Sequence, residues 1–120
     1  MKRSVRAGAA KAKAHPLSHC LESDIRDIVQ ALGDDAHAFA GTTILLCGGA
    51  GFLGRYFASV FLHLNERVLK RPCRVIICDN LITSGKLGEE VSGLNGFRFL
   101  THDIIKPLRI DEPLDYVIQA

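Results

Sequence analysis

The chain has 120 residues, a hydrophobic fraction of 48% and a formal net charge of +2 at neutral pH. This length fits at most one domain, and the hydrophobic fraction is that of a folded protein rather than a disordered one. No apolar run approaches the roughly 20 residues that a membrane-spanning helix needs, so we expect no membrane insertion. The charge is uneven, because residues 1–21 contain basic side chains and no acidic one.

Residues 1–15 are a basic, Ala-rich tail that we expect to be disordered. Such a tail could contact nucleic acid, but a solubilising leader is the simpler interpretation, and nucleic acid is not the partner we expect. His15, His19 and Cys20 are close in sequence, yet Pro16 lies between the histidines and nothing supplies a fourth ligand. We therefore predict no metal site.

Residues 16–41 are predicted to form a helical leader. Apolar side chains recur at three- and four-residue steps, which predicts a helix over Pro16–Leu32. These side chains are Leu21, Ile25, Ile28, Val29 and Leu32. Ser23 is the expected N-cap and Gly33 the expected C-cap, and a second short helical piece is expected within Ala36–Ala40.

A glycine-rich turn lies in the sequence TTILLCGGAGFLG, at Thr42–Gly54. The unbroken apolar run Thr43–Cys47 predicts a strand buried on both faces, as in a parallel sheet. Gly48 would make a tight turn, Gly51 would let a phosphate approach the backbone, and Gly54 would let the next helix pack closely. Because the start of a helix favours an anion, this pattern predicts a site for a dinucleotide pyrophosphate.

The helix after this turn is predicted over Phe52–Lys70, with Arg71 and Pro72 ending it. One apolar stripe runs along it, which we expect to pack on the sheet as core. The stripe consists of Phe52, Leu53, Tyr56, Phe57, Val60, Phe61, Leu64 and Val68.

The second strand is predicted over Arg74–Asp79 and ends on a carboxylate. In a dinucleotide-binding domain, an acid at this place accepts hydrogen bonds from the adenosine ribose and repels the extra phosphate of NADP, so we expect NAD. The alternative is that Asp79 only caps a turn. Cys47 and Cys78 end two predicted buried strands and are expected to be small core residues in a reducing compartment, which favours a cytoplasmic location.

The remaining elements complete half of a doubly wound sheet. A loop over Asn80–Gly96 precedes a third strand, Phe97–Thr101, and a fourth strand is predicted over Asp115–Ala120. The predicted fold class is therefore α/β, with residues 42–120 forming an incomplete Rossmann-like NAD-binding domain of strand order 3-2-1-4.

The segments GGAGFLG, CDNLITSGK, THDI and DYVIQA, taken together and in this order, resemble the extended short-chain dehydrogenase/reductase family. The most similar branch is the NAD-dependent epimerases and dehydratases that act on nucleotide sugars. The resemblance covers about Thr42–Ala120.

The resemblance implies a set of pyrophosphate contacts, which are Gly48, Gly51, Phe52, Leu53 and Gly54. It also implies that Asp79 and Asn80 hold the adenosine ribose, with Thr83 and Ser84 beside the same ribose or the phosphate.

Three further positions follow from the same resemblance. Asp103 would accept a hydrogen bond from the adenine amino group, and Ile104 would pack on the adenine ring. Ala120 would line the nicotinamide side. For Asp103 the alternative is an exposed carboxylate in a turn.

The chain also departs from the family pattern. Cys47 stands where threonine is usual, and Gln119 stands where histidine is common. The family's catalytic Tyr-x-x-x-Lys pair is absent, because neither Tyr56 nor Tyr116 has a lysine four residues later. We therefore expect the NAD-binding portion of a nucleotide-sugar epimerase, dehydratase or decarboxylase, inactive by itself, whose longer form could be a homodimer. The alternative is a non-catalytic NAD-binding or regulatory module.

Overall fold

The computed structural model describes residues 21–80 and 91–120, and its centre is a parallel sheet. The strands are β1 (Thr43–Cys47), β2 (Arg74–Asp79), β3 (Phe97–Thr101) and β4 (Tyr116–Gln119). Their order is β3-β2-β1-β4, and each neighbouring pair is parallel. The α/β class and the order 3-2-1-4 are thus confirmed, as are the bounds of the first three strands.

The fourth strand is one residue shorter at each end than predicted. Asp115 and Ala120 each donate a backbone N–H to β1, at 2.9 Å to the oxygens of Thr43 and Cys47, but lie outside the strand. Because β2 and β3 follow β1 on one side and β4 lies on the other, the strand order reverses between β1 and β4. A gap at such a reversal is where open α/β sheets bind ligands.

Strand β1 is buried along its whole length, as its apolar sequence predicts. One sheet face, including Ile44 and Leu46, packs in the main core with the helices. The opposite face packs against side chains of β3 and of the segment that leads to β4. That second cluster contains Leu45, Cys47, Ile76 and Cys78, with Leu100, Leu108, Ile110 and Leu114 beside it.

Helix α2 spans Phe52–Arg67 and ends before the predicted Lys70. The backbone leaves the helix at Val68, and both Val68 and Leu69 donate their N–H groups to the oxygen of Leu64. The bond from Leu69 spans five residues, so the helix ends in a wider, π-type turn. Leu69 itself lies in the core and is 7% exposed.

The apolar stripe predicted on α2 is correct only in its later turns. Its members Val60, Phe61 and Leu64 are buried, but the prediction is wrong for its first members and for Phe57. Phe52, Leu53 and Phe57 are 71%, 60% and 40% exposed. The reason is that the small residues Gly54 and Ala58 form the buried face of the first turns, which rotates the bulky neighbours outward.

Helix α1 spans Glu22–Leu32 and is followed by a 3₁₀ helix over Gly33–Phe39. The N-cap is Leu21 rather than the predicted Ser23, because the backbone is extended at Leu21 and its oxygen already accepts from the N–H of Ile25. Gly33 is confirmed as the C-cap, with a φ of 54°. The 3₁₀ helix starts earlier than the predicted Ala36–Ala40 piece.

The first helix is attached to the second by a polar and an apolar contact. The hydroxyl of Tyr56 donates to Oδ2 of Asp24 at 3.0 Å, and Ile25 is buried in the main core. None of the helices within residues 21–80 and 91–120 is long and apolar enough to cross a membrane. The predicted tail, the start of the leader helix, and the trio His15, His19 and Cys20 lie outside the described residues.

Candidate functional site

The glycine turn joins the end of β1 to the start of α2. Gly48 has a φ of 79°, a conformation that side chains disfavour, and its N–H donates to the Cys78 oxygen at 2.8 Å. A Cβ at Gly48 would lie 2.5 Å from the carbonyl oxygen of Ala120. The predicted tight turn at Gly48 is therefore confirmed, and it sits directly beside the end of β4.

Gly54 allows α2 to pack closely on this turn. A Cβ at Gly54 would collide with the carbonyl oxygen of Gly48 and lie 2.6 Å from Cα of Gly49. The close packing predicted for Gly54 is thus confirmed, although its immediate contact is the turn itself rather than the strand.

Gly51 differs from the other two glycines of the motif. It is the N-cap of α2, with an ordinary φ of −78°, and a Cβ there would meet only the Gly48 oxygen, at 3.5 Å. The fold itself therefore does not require glycine at this position. The predicted approach of a phosphate to Gly51 remains a prediction.

Asp79 lies at the end of β2 and reaches back to the glycine turn. Its Oδ2 accepts a hydrogen bond from the N–H of Ala50 at 3.1 Å, and the Ala50 oxygen accepts from Nε of Arg55 at 2.9 Å. The turn is thus held by side chains from both β2 and α2. Asp79 therefore does cap a turn, which was the alternative to ribose binding. This contact places its carboxylate next to the glycine motif.

A cleft of about 220 Å³ opens at the carboxyl ends of the strands, around this turn. It is lined by Cys47, Gly48, Cys78, Asp79, Asn80, His102, Ile104, Gln119 and Ala120. Typical ligand pockets occupy about 300–1,000 Å³, so this cleft matches part of a dinucleotide rather than a whole one. Five of the residues expected at the cofactor meet here, namely Gly48, Asp79, Asn80, Ile104 and Ala120.

Other expected site residues are not brought into this cleft. Asp103 does not line it, and its Oδ1 accepts from the N–H of Ile105 at 3.2 Å within a turn. The expected contact of Asp103 with the adenine amino group stays a prediction. The side chain of Leu53 lines a separate apolar groove with Ile28 and Phe57. Any contact of Phe52 or Leu53 with a pyrophosphate would fall to their backbone. Thr83 and Ser84 lie outside the described residues.

Four cleft residues were not predicted as site residues, namely His102, Gln119 and the two cysteines Cys47 and Cys78. His102 follows β3. Its backbone N–H donates to the Asp79 oxygen at 3.0 Å, and its Nε2–H donates to the Lys106 oxygen at 3.0 Å. Gln119 ends β4. Because the carboxyl ends of parallel strands meet at one edge, the residues that end or follow β3 and β4 could have been inferred as lining residues from the sequence.

Two buried thiols form part of the cleft wall. Cys47 and Cys78 are opposite each other in the β1–β2 register and are 3% and 2% exposed, which confirms them as core residues. Burial raises the pKa of both, that of Cys78 to about 11, with the neighbouring charges of Cys47 and Asp79 adding to the effect. Both groups are therefore neutral thiols near neutral pH.

The two tyrosines have structural contacts. The Tyr56 hydroxyl binds Asp24 on α1, and the ring of Tyr116 packs edge-on against Phe39 with centroids 5.2 Å apart. In the described part of the chain, no group of three or more histidine, cysteine or acidic side chains is arranged to hold a metal ion.

Comparison of this chain with family models, with curated proteins and with solved structures found no match.

Proposed function

We propose that the cleft at the carboxyl ends of β1, β2 and β4 binds NAD(H). One observation carries this proposal. At the strand-order reversal, the glycine turn, the start of α2 and the Asp79 carboxylate lie side by side. A reversal of strand order leaves a crevice, and a helix start supplies N–H groups and a partial positive charge for an anion.

The residues of the turn fit a pyrophosphate. Gly48 and Gly54 give the turn a shape that Cβ atoms would prevent, while a Cβ at Gly51 would meet only one protein atom within 4 Å. The space around Gly51 is therefore available for a phosphate. The helix start at Phe52 would contribute backbone N–H groups from the same place.

The side of the cleft that contains Asp79 fits the adenosine part of the cofactor. Its carboxylate would accept from a ribose hydroxyl and would repel a 2′-phosphate, so NAD(H) is favoured over NADP(H). Asn80 would lie beside the same ribose, Ile104 beside the adenine, and Ala120 on the nicotinamide side. When bound, NAD⁺ would supply the hydride acceptor, and the described residues would bind and orient it.

We further propose that this Rossmann-like unit is the cofactor-binding portion of a nucleotide-sugar epimerase, dehydratase or decarboxylase of the extended short-chain dehydrogenase/reductase family. The support is the ordered set of motifs together with the sheet order β3-β2-β1-β4. Neither tyrosine is placed as an acid/base group, because Tyr56 binds Asp24 and Tyr116 packs on Phe39.

The direct test is calorimetric titration of the purified chain with NAD⁺ and with NADP⁺. We expect saturable binding of NAD⁺, weaker binding of NADP⁺, and loss of both in Gly51→Val, whose side chain would occupy the phosphate space and whose Cβ would meet only the Gly48 oxygen, at 3.5 Å. Circular dichroism should show that this variant keeps its helices. A folded wild-type chain that binds neither nucleotide, or a Gly51→Val variant that binds as well as wild type, would contradict the proposal.

A further inference from the structure

We propose that Cys47 and Cys78 form an oxidisable dithiol in the wall of the cleft, which a thiol-specific oxidant converts into an intrachain disulfide. The proposal concerns a modification site and does not depend on nucleotide binding.

The strand register places the two cysteines at bonding range. Cys47 and Cys78 are direct partners in the parallel β1–β2 ladder. Neighbouring strands lie about 4.8 Å apart, and the Cα atoms of disulfide-bonded cysteines are usually about 4.4–6.8 Å apart. The backbone spacing of this pair therefore already falls within the disulfide range.

Their side chains also lie on the same face of the sheet. Both belong to the buried cluster that carries Leu45 and Ile76. A disulfide thus requires a change of side-chain torsion rather than a movement of one strand relative to the other.

The cleft gives a small reagent a route to this pair. Both cysteines line it, next to Gly48 and Asp79, although little of either surface is exposed. Cys73 provides the contrast, because it lies at the other end of β2, is 0% exposed, and donates its thiol to Oδ1 of Asn65 at 3.2 Å. Cys73 has no cysteine opposite it in the sheet register.

The chemistry balances with an azodicarboxamide oxidant such as diamide. The sulfur of one cysteine adds to the N=N bond of the reagent, and its proton goes to the second nitrogen. The sulfur of the other cysteine then attacks the first sulfur, so the S–S bond forms, the S–N bond breaks, and the reagent leaves as the hydrazine with both hydrogens. The resulting cross-link would join β1 to β2 immediately before Gly48 and Asp79.

The test is oxidation of the native full chain with diamide, followed by blocking of free thiols under denaturing conditions and tryptic peptide mapping. Trypsin separates the cysteines, with Cys47 in residues 27–55 and Cys78 in residues 75–86. We expect these two peptides to be recovered as one cross-linked species that is two hydrogens lighter than their sum. It should be the dominant disulfide of the monomer.

Variants and a second reagent keep the test decisive. Cys47→Ser or Cys78→Ser should abolish the cross-link, whereas Cys73→Ser should preserve it. Phenylarsine oxide, which bridges two thiols with loss of water, should add once to the wild type and not to Cys78→Ser. If diamide leaves both cysteines blockable in a folded wild-type chain, or if the dominant pairing involves Cys20 or Cys73, the proposed dithiol is wrong.

Discussion

Gly51 and Gly54 are three residues apart in one motif, but the fold requires glycine only at Gly54. Gly54 is required by the fold, because a Cβ there would run into the backbone of Gly48 and Gly49. Gly54→Ala should lower the free energy of unfolding by about 1–3 kcal/mol, the usual cost of overpacking a tight contact. Gly51→Ala is the matched control and should cost no more than about 1 kcal/mol, the scale of a changed N-cap. Urea unfolding of both variants checks this, and equal losses would refute the assignment.

Asp79 has a structural contact and a proposed binding role, and two substitutions separate them. Asp79→Asn keeps an oxygen for the Ala50 N–H but removes the charge, whereas Asp79→Ala removes both. We expect Asp79→Ala to be less stable than Asp79→Asn by about 1 kcal/mol, the net contribution of one hydrogen bond. Both variants should lose the preference for NAD⁺ over NADP⁺ in binding titrations. A preference unchanged from the wild type in both would remove the ribose assignment.

At the scale of elements, a buried amide ties together the end of α2, the start of β2 and the turn before β3. Oδ1 of Asn65 accepts from the Cys73 N–H at 2.8 Å, and its Nδ2 donates to the oxygens of Cys73 and Asn95 at 2.9 and 3.0 Å. Gly96 has a φ of 84°, and a Cβ there would lie 2.8 Å from Nδ2 of Asn65. One side chain thus holds three elements in position relative to one another.

Removing this amide should therefore destabilise the whole sheet. Asn65→Ala leaves the buried backbone groups of Cys73 without a partner, and we expect a loss of about 3 kcal/mol in the free energy of unfolding. Asn95→Ala is the control, because Asn95 is exposed and Asn65 contacts only its backbone oxygen. It should change stability by less than about 0.5 kcal/mol. Thermal and urea unfolding would show the difference, and similar losses in the two variants would contradict this role for Asn65.

The elements also show what the sequence could and could not predict. Strands β1 and β2 were predictable residue by residue, because an apolar run of four or more residues specifies a buried strand. The bounds of β3 were also predicted correctly, although only Phe97 of that strand is buried. The burial of α2 was predictable only in part. Periodicity locates an apolar stripe, but it does not show that Gly54 and Ala58 would occupy the contact and leave Phe52 and Phe57 exposed.

At the scale of the whole molecule, the site depends on distant segments that share one edge of the sheet. The glycine turn and Asp79 were predictable from local motifs, but His102 and Gln119 enter the cleft only because β3 and β4 run parallel to β1 and β2. The Asn65 hydrogen bonds reach Cys73, 8 residues later, and Asn95, 30 residues later, and no local pattern marks them. The contact of Asp103 with the N–H of Ile105 is local, whereas its expected contact with the adenine stays a prediction.

The central claim is that NAD(H) binds at the carboxyl edge of this sheet, and amide chemical-shift mapping tests it most directly. The ¹H–¹⁵N spectrum of the labelled full chain would be recorded during titration with NAD⁺. The account predicts saturable shifts concentrated at Gly48–Gly54, Asp79, His102–Ile104 and Ala120, with little change at Ile28 or Leu32 in the apolar groove. A folded chain whose spectrum does not change, or whose shifts cluster at that groove, would contradict it.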